Sequence, residues 1–265
     1  MKRKRVYSNK KPKKKIINIY MNNLSNSESD EEIDDITIKE FQFEQLKPYS
    51  TIVFVSPRRG GKSTFIRQLL YQHYIKKQKI KNFLIISPTA FNPDYQFIDD
   101  RYKQTELNEE IIENILSEQE EKIANDKHAD NRLVIVLDDI LKSTNGKTKD
   151  ILERIFILGR HFSLEILLSV QNIRAEYTPS MRLNTDYVVL YQSTNRDNKD
   201  ETHRLWLSLG DKDMEQVGFN ILTKVPQKYR TLIIDNTSIN KTNYGDFCYH
   251  FEATLDSVPK KFYFY

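Results

Sequence analysis

The residues that follow the apolar run Thr51–Val55 have the types and spacing of a phosphate-binding loop. Residues 56–63, SPRRGGKS, match the pattern Gly-x-x-x-x-Gly-Lys-Ser/Thr except at the first position, where Ser56 replaces glycine. In such a loop, backbone N–H groups and the start of the next helix surround the β-phosphate. The alternative is a chance GGKS sequence in a lysine-rich turn. The preceding strand and the amphipathic helical pattern that follows favour the phosphate loop.

The side chains of this loop have distinct expected roles. Lys62 reaches the β- and γ-phosphates, and the Ser63 hydroxyl binds Mg²⁺. The expected nucleotide-binding set is Arg59, Gly60, Gly61, Lys62, Ser63 and Thr64. Ser56 is compatible with this role if its backbone angles are those of an ordinary L-residue. The loop alone predicts that ATP or GTP binds.

Two adjacent acids follow a second apolar run, Leu133–Leu137. A P-loop ATPase needs a carboxylate at the end of a buried strand to hold Mg²⁺ through water, and Asp138 is assigned to that role. Asp139 is the candidate for polarising the attacking water. Many hydrolytic motors use the longer glutamate there. The alternative is an acidic helix cap after a strand.

A third set of polar residues surrounds the apolar run Glu165–Val170. Gln171 follows the run, where a neutral amide beside the γ-phosphate can orient water or sense phosphate loss. Arg160 precedes the run at the end of a predicted helix, where an exposed guanidinium can enter a neighbour's site and stabilise the transferring phosphoryl group. Pairing with the helix dipole is the alternative for Arg160. His161 is interpreted as a structural or loop residue.

Strand and helix patterns alternate along the chain and predict the elements that position these residues. The predicted strands are Thr51–Val55, Phe83–Ser87, Leu133–Leu137, Glu165–Val170, Asp186–Tyr191 and Thr231–Asp235. Most are continuous apolar runs, which are typical of parallel strands buried on both faces. Helices are predicted over Ser63–Lys77, Leu107–Lys122 and Lys149–Gly159, and surface loops over 141–148 and Thr194–Asp200. The fold class is therefore α/β, a three-layer P-loop NTPase with a mainly parallel central sheet.

Charge is distributed unevenly, although the net charge is only +4. Residues 1–15 hold nine Lys or Arg and no acid, whereas residues 26–35 hold six acids and no base. Like-charge blocks cannot bury enough apolar surface to fold, so residues 1–36 are expected to be a disordered tail. The basic block is either a nuclear-localisation or nucleic-acid-binding arm, or a solubility tail. The ATPase domain is expected over 37–240, with an aromatic and basic extension over 241–265.

Composition also limits the cellular setting. A single cysteine, Cys248, excludes an internal disulfide, and an intracellular setting is the default. No run of about 18 apolar residues is present, so a membrane span is not expected. The basic N-terminus lacks an apolar segment after it, so a secretory signal is not expected.

The motifs together resemble the FtsK–HerA superfamily of DNA-pumping ATPases, and within it the poxvirus-type genome-packaging ATPases of large DNA viruses, virophages and polinton-like elements. The resemblance lies in SPRRGGKST (56–64), LIISPT (84–89), LVIVLDDI (133–140), GRHFSLEILLSVQ (159–171) and MRLNTDYVVLY (181–191). It implies a RecA-like (ASCE) sheet in which the strand before Gln171 lies between the P-loop and Asp138 strands. It also implies a ring oligomer in which Arg160 acts in trans, with Arg182 and Asn184 near the interface or nucleotide.

The same resemblance implies an ATPase that uses ATP and Mg²⁺ to drive double-stranded DNA into a capsid. Expected partners are duplex DNA, capsid or portal-vertex proteins and other copies of this chain. The expected location is inside an infected host, in a cytoplasmic virus factory or the nucleus, or in the virion. Residues 260–265 are interpreted either as a capsid-docking tail or as an edge strand or packed terminus.

Three other functions remain as alternatives. A nucleoside or nucleotide kinase would use the same loop but transfer phosphate to an acceptor other than water. A helicase or conjugation-type pump would act on single strands, and a non-enzymatic scaffold would only bind nucleotide. The paired acids and Gln171 favour hydrolysis.

Overall fold

A ten-stranded sheet runs through the described part of the chain. The computed structural model describes residues 16–19, 36–92, 95–126, 130–140, 146–210, 212–227, 229–256 and 258–259. The strands are β1 (Ile16–Ile19), β2 (Ile36–Glu40), β3 (Thr51–Val55), β4 (Asn82–Ile86), β5 (Lys103–Gln104), β6 (Leu133–Leu137), β7 (Leu164–Val170), β8 (Tyr187–Leu190), β9 (Arg230–Asp235) and β10 (Cys248–Glu252). Their order across the sheet is β1-β2-β10-β9-β8-β3-β7-β6-β4-β5.

The centre of the sheet, from β8 to β5, is entirely parallel. Every residue of β3 and of β7 is buried, as expected for continuous apolar strands covered on both faces. β7 lies between β3 and β6, which confirms the expected position of the strand that precedes Gln171. The carboxyl ends of β3, β6 and β7 therefore meet at one edge, called here the P-loop edge. The edge where these strands begin is called the opposite edge.

Helices cover both faces of the parallel strands and complete the three predicted layers. The helices are α1 (Lys62–Leu69, continued by a π-helical segment over Leu70–Lys77), α2 (Glu109–Asn125), α3 (Gly146–Leu158), α4 (Ile173–Glu176), α5 (Pro179–Leu183), α6 (Arg196–Thr202) and α7 (Lys212–Lys224). On α1 and its continuation, the predicted apolar face is buried, including Phe65, Ile66 and Leu69. This face packs with Phe54 of β3 on one side of the sheet. On the other side, α3 and α7 pack in the core that contains Val53.

The flank of the sheet formed by β9, β10, β2 and β1 corrects two expected boundaries. Its pairs are antiparallel except for β10 and β2, which are parallel. Ile16–Ile19, placed by the sequence in a disordered tail, pair with β2, and Ile19 is buried. β10 lies between β9 and β2, so the ATPase domain does not end at 240. The prediction of a disordered tail is wrong for residues 16–19, and the boundary at 240 is wrong for β10. Each short segment is covered only through the strands with which it pairs, and local composition does not reveal that pairing. Residues 260–265 lie outside the described residues.

Each of the two segments predicted as surface loops contains the start of a helix. The segment Thr194–Asp200 is not a loop, because α6 begins at Arg196. The Asn195 side chain caps it by accepting a hydrogen bond from the Asn198 N–H at 3.2 Å, a start signal that its polar composition hid. In the segment 141–148, α3 already begins at Gly146, and residues 141–145 lie outside the described ranges. Within those ranges, every helix is too short or too polar to cross a bilayer.

A buried carboxylate fastens the start of the P-loop strand. Glu165 of β7 is 2% exposed and accepts hydrogen bonds from the backbone N–H groups of Tyr49 and Ser50, both at 3.0 Å. Burial raises the pKa of Glu165 from its ordinary 4.5 to about 7, although the two N–H donors oppose that rise. The residue therefore titrates in the folded protein near neutral pH.

Glu165 is expected to make the protein less stable as pH rises from about 4.5 to about 7. In that window the folded state keeps a proton that the unfolded state has released, so the free energy of unfolding falls, by up to about 3 kcal/mol. Glu165→Gln removes the titration and should flatten this part of the profile. Urea unfolding of both proteins at pH 5.0 and 7.5 measures the difference. Parallel pH profiles would contradict the assignment.

Candidate active site

Two glycines shape the P-loop for different reasons: Gly61 adopts a positive φ, and the surroundings of Gly60 leave little room for a side chain. Gly61, the N-cap of α1, has φ +95°, a conformation that side chains disfavour. A Cβ on Gly60 would lie 2.4 Å from the Ser56 Oγ and 3.1 Å from the Pro57 carbonyl oxygen. Ser56 does not have a positive φ, so its backbone conformation is open to an ordinary L-residue. Its hydroxyl donates a hydrogen bond to the Pro57 carbonyl oxygen at 2.9 Å. Serine is thus accommodated where the motif has glycine.

Lys62, which follows β3, contacts residues at the carboxyl ends of β6 and β7. Its Nζ lies 2.5 Å from the Asp138 Oδ1 and 3.7 Å from the Asp139 Oδ1, and it donates to the Ser169 Oγ at 2.6 Å. These partners come from β6 and β7, whose register places Leu137 beside Leu168. The sequence predicted that Lys62, Asp138 and Asp139 would meet, and the geometry places them together at the P-loop edge.

Asp138 is held as a buried anion. The residue is 4% exposed, and its Oδ2 accepts a hydrogen bond from the Tyr95 hydroxyl at 2.7 Å. Burial raises the pKa of Asp138, but the charge of Lys62 and hydrogen bonds from Lys62, Tyr95 and Ser169 outweigh it and leave the pKa below its ordinary value. The carboxylate therefore stays ionised at neutral pH.

Asp139 and Gln171 form the polar tip beside this pair. The Gln171 Nε2 donates to the Asp139 Oδ1 at 2.8 Å. Asp139 has φ +55°, an uncommon conformation for a residue with a side chain, and this conformation recurs at functional sites. Asn198 of α6 donates to the Gln171 carbonyl oxygen at 3.0 Å, so the tip is also tied to the next layer. The amide and the second acid are thus placed as a unit.

The donor set at this edge fits a hard divalent cation. Ser63 lies in the first turn of α1, next to Lys62, and the ionised carboxylate of Asp138 contacts Lys62. Hydroxyl and carboxylate oxygens are the protein ligands that Mg²⁺ accepts alongside phosphate oxygens and water. Ser63 and Asp138 are therefore the residues that would hold it.

Arg160 lies at the opposite edge, away from Lys62. Its side chain is 64% exposed and donates to the Asp186 carboxylate just before β8. The other oxygen of Asp186 accepts the Thr51 N–H, at the start of β3, at 2.9 Å. Arg160 follows α3, as predicted, but the sheet separates it from the phosphate loop of its own chain. His161 lies in the same turn.

A second arginine group surrounds a buried glutamate that the sequence did not single out. The Glu201 side chain, 5% exposed, contacts the guanidinium groups of Arg174 at 3.2 Å, Arg182 at 3.4 Å and Arg204 at 2.7 Å. Arg182 also donates to the Tyr177 carbonyl oxygen, and Asn184 to that of Ser180. Both resemblance-derived residues are thus anchored within their own chain.

Two residues of the Lys62 cluster were also missed. Ser169 interrupts the apolar run of β7 two residues before Gln171, which is a readable signal for a polar strand tip. Tyr95 reaches Asp138 from the segment after β4, where nothing in the spacing marks it.

The comparisons with known proteins agree with this architecture. The family model described as Poxvirus A32 protein matches residues 38–259. The chain belongs to this family. The match extends past residue 240 and includes β10, in agreement with the corrected boundary. A relative, the uncharacterized protein L437 of Acanthamoeba polyphaga mimivirus, is 29% identical over 211 residues, which cover 75% of this chain and 71% of the relative.

Solved structures share the fold of this A32-family chain. The genome packaging NTPase from Sulfolobus turreted icosahedral virus 2, in complex with AMPPCP, has a TM-score of 0.52 at 15% identity and covers 79% of this chain and 100% of its own. The pCW3 conjugation coupling protein TcpA, with ATPγS, has a TM-score of 0.56 at 12% identity and covers 96% of this chain and 68% of its own. At these identities the likeness establishes the P-loop NTPase fold.

Replacing Tyr95 by phenylalanine tests the support of Asp138. Tyr95→Phe removes one donor from a buried carboxylate, so the free energy of unfolding at pH 7 should fall by about 2 kcal/mol. Tyr249→Phe is the control, because its hydroxyl donates to a neutral carbonyl oxygen at 3.3 Å on the surface, and it should cost under about 0.5 kcal/mol. Equal losses in urea unfolding would show that the Tyr95 hydroxyl does not stabilise the carboxylate.

Proposed function

We propose that this A32-family chain is an ATP-hydrolysing motor that drives double-stranded DNA into a viral capsid. The main support is that Lys62 contacts Asp138, Asp139 and Ser169 at the carboxyl ends of adjacent strands. Gln171 also donates a hydrogen bond to Asp139. This set holds a phosphate loop, an ionised acid and a water-orienting pair. The genome packaging NTPase and the conjugation coupling protein that share its fold support a DNA-handling motor.

ATP binding requires Lys62 to change partners. Without nucleotide, the Lys62 ammonium lies against Asp138; with ATP, it turns to the β- and γ-phosphates. The phosphates also accept hydrogen bonds from the backbone N–H groups of Arg59, Gly60, Gly61, Lys62, Ser63 and Thr64. Ser63 and, through water, Asp138 would hold Mg²⁺, which would neutralise part of the charge of the phosphates. Asp138 is ionised and ready for this role once Lys62 has turned away.

Hydrolysis is then the work of Asp139 and Gln171. Gln171 orients a water molecule, and Asp139 accepts its proton as the new bond to the γ-phosphorus forms. The bond from that phosphorus to the bridging oxygen breaks, which releases phosphate and leaves ADP. A nucleoside kinase would place an acceptor hydroxyl where this pair holds water.

Arg160 serves the nucleotide of a neighbouring subunit. It cannot reach the phosphate loop of its own chain, because it lies at the opposite edge of the sheet, yet it is exposed. A ring that places the opposite edge of one subunit on the P-loop edge of the next brings Arg160 to the transferring phosphoryl group. The ring also places duplex DNA within reach of several subunits, and contacts to its phosphates need no sequence reading.

The remaining partners follow from the packaging role. We expect capsid or portal-vertex proteins to bind the ring, and the motor to act inside an infected cell, in a virus factory or the nucleus, or to remain in the virion. The structural likeness to the conjugation coupling protein keeps a conjugation-type pump as the second candidate. A strand-separation assay on duplex DNA distinguishes the two, since a packaging motor moves the duplex intact.

Variants of Lys62 and Gln171 are expected to lose ATP hydrolysis to different extents, and the Gln171 variant should lose it without losing ATP binding. Lys62→Ala should abolish measurable phosphate release, whereas Gln171→Ala should lower kcat about 100-fold with ATP affinity within about threefold of the parent. Gln216→Ala, an exposed glutamine on α7, is the matched control and should keep full activity. Phosphate release is measured with ATP and Mg²⁺, with and without duplex DNA. Transfer of phosphate to a nucleoside instead would support the kinase.

Mixed rings test the assignment of Arg160. Arg160→Gln keeps a donor for Asp186 but removes the charge, and it should lower ATP hydrolysis about 1000-fold. Lys62→Ala is equally inactive, but a mixture of the two variants should regain part of the activity. At some junctions an intact phosphate loop then faces an intact Arg160. Co-assembly without recovery, or an active Arg160→Gln protein, would overturn the trans assignment.

A further inference from the structure

The polar residues of the site fix the direction in which the nucleotide lies. Asp139 and Gln171 mark the γ-phosphate end, and they follow β6 and β7. The strand order β9-β8-β3-β7-β6 places these two strands on one side of the P-loop strand β3. The nucleoside end of ATP must therefore extend to the other side, toward the ends of β8 and β9 that share the P-loop edge.

Two tyrosines stand on that side, against the phosphate loop. Tyr191 follows β8 and Tyr229 precedes β9. A Cβ built on Gly61 would lie 3.7 Å from the Tyr229 Cδ1 and 3.9 Å from the Tyr191 Cε1, which is ordinary van der Waals contact. Tyr191 is buried, at 6% exposure, whereas Tyr229 is 53% exposed. One ring thus forms a wall behind the loop, and the other presents aromatic surface to solvent beside it.

The turn that carries Tyr229 is tightly held. Gln227 and Arg230 exchange backbone hydrogen bonds at 2.9 and 3.0 Å, and the Tyr229 carbonyl oxygen accepts the Ala253 N–H at 3.2 Å. The Arg230 guanidinium donates to the carbonyl oxygens of Val225 and Lys224, at 2.7 and 3.1 Å, which end α7. Tyr229 itself has φ +68°, a conformation that is costly for an aromatic residue. These bonds fix the backbone position of Tyr229 beside the phosphate loop, where its ring is half exposed.

We propose that Tyr229 is the platform on which the purine base of the nucleotide stacks, with Tyr191 supporting the loop behind it. This inference rests on the proposed ATPase function and adds the residue that binds the nucleoside end. An exposed aromatic face attracts a flat base by stacking, and a preordered ring loses little conformational entropy when the base arrives. The phosphate loop and Lys62 bind only the phosphates. Tyr229 therefore supplies the contact through which the protein distinguishes ATP from inorganic polyphosphate, which has no base.

Binding measured by calorimetry with ATP, ADP and tripolyphosphate tests the platform. Tyr229→Ala should raise the Kd for ATP and for ADP about tenfold and leave the Kd for tripolyphosphate within about twofold of the parent. Tyr229→Phe should restore parental nucleotide affinity, because stacking needs the ring and not the hydroxyl. Tyr49→Ala is the matched control: Tyr49 is also an exposed tyrosine, at 36%, with φ +60°, but it lies at the opposite edge, and its replacement should change none of the three constants.

The outcomes separate this inference from the proposed function. If the parent binds and hydrolyses ATP but Tyr229→Ala binds it equally well, stacking is refuted and the ATPase assignment stands. Equal weakening of tripolyphosphate and ATP would also refute stacking, since it would show that Tyr229 only shapes the phosphate loop. If the parent protein fails to bind ATP, both proposals fail. Loss of oligomers without loss of nucleotide affinity would reassign the exposed ring to a subunit contact and overturn the platform.

Discussion

The contact between Lys62 and Asp138 is the interaction on which the arrangement of the site depends. A buried ion pair is costly to desolvate, and it persists only where further hydrogen bonds satisfy both partners. Ser169 and Tyr95 supply them here, from β7 and from the segment after β4. The pair therefore requires that β3, β6 and β7 end side by side. In the proposed motor, the lysine remains paired with Asp138 until the phosphates of a nucleotide replace the carboxylate as its partner.

The opposite edge of the sheet has its own electrostatic anchor. Asp186 receives the start of β3 through the Thr51 N–H and binds Arg160 with its other oxygen. The two ends of the P-loop strand thus carry the two halves of the proposed catalytic apparatus, and the length of one strand separates them. A single chain holds both halves without being able to join them, which is the physical reason that the proposed motor needs neighbours.

Much of this site was predictable because buried parallel strands have a simple sequence signature. The runs 51–55 and 133–137 have the predicted bounds in the structure, and the polar residues after them lie together because parallel strands share an edge. The contribution of Tyr95 was not predictable, since a loop residue reaches Asp138 only through the tertiary fold. β1 and β10 were missed for a related reason: each is short, and its burial depends on pairing within the sheet, which local composition does not reveal. The polar helix α6 was predicted to be a loop because its polar composition hid the Asn195 cap at which it begins.

The serine that opens the phosphate loop has a consequence for how this loop can change in evolution. The Ser56 Oγ occupies the space that a side chain on Gly60 would enter, with the Pro57 carbonyl oxygen close by. The two positions are therefore coupled: a side chain at position 60 would require the Ser56 hydroxyl to rotate away from its hydrogen bond with the Pro57 carbonyl oxygen. A return to glycine at the first position would remove the shorter of the two clashes. Serine at position 56 should consequently disfavour a side chain at position 60, so the apparent flaw in the motif restricts its later variation.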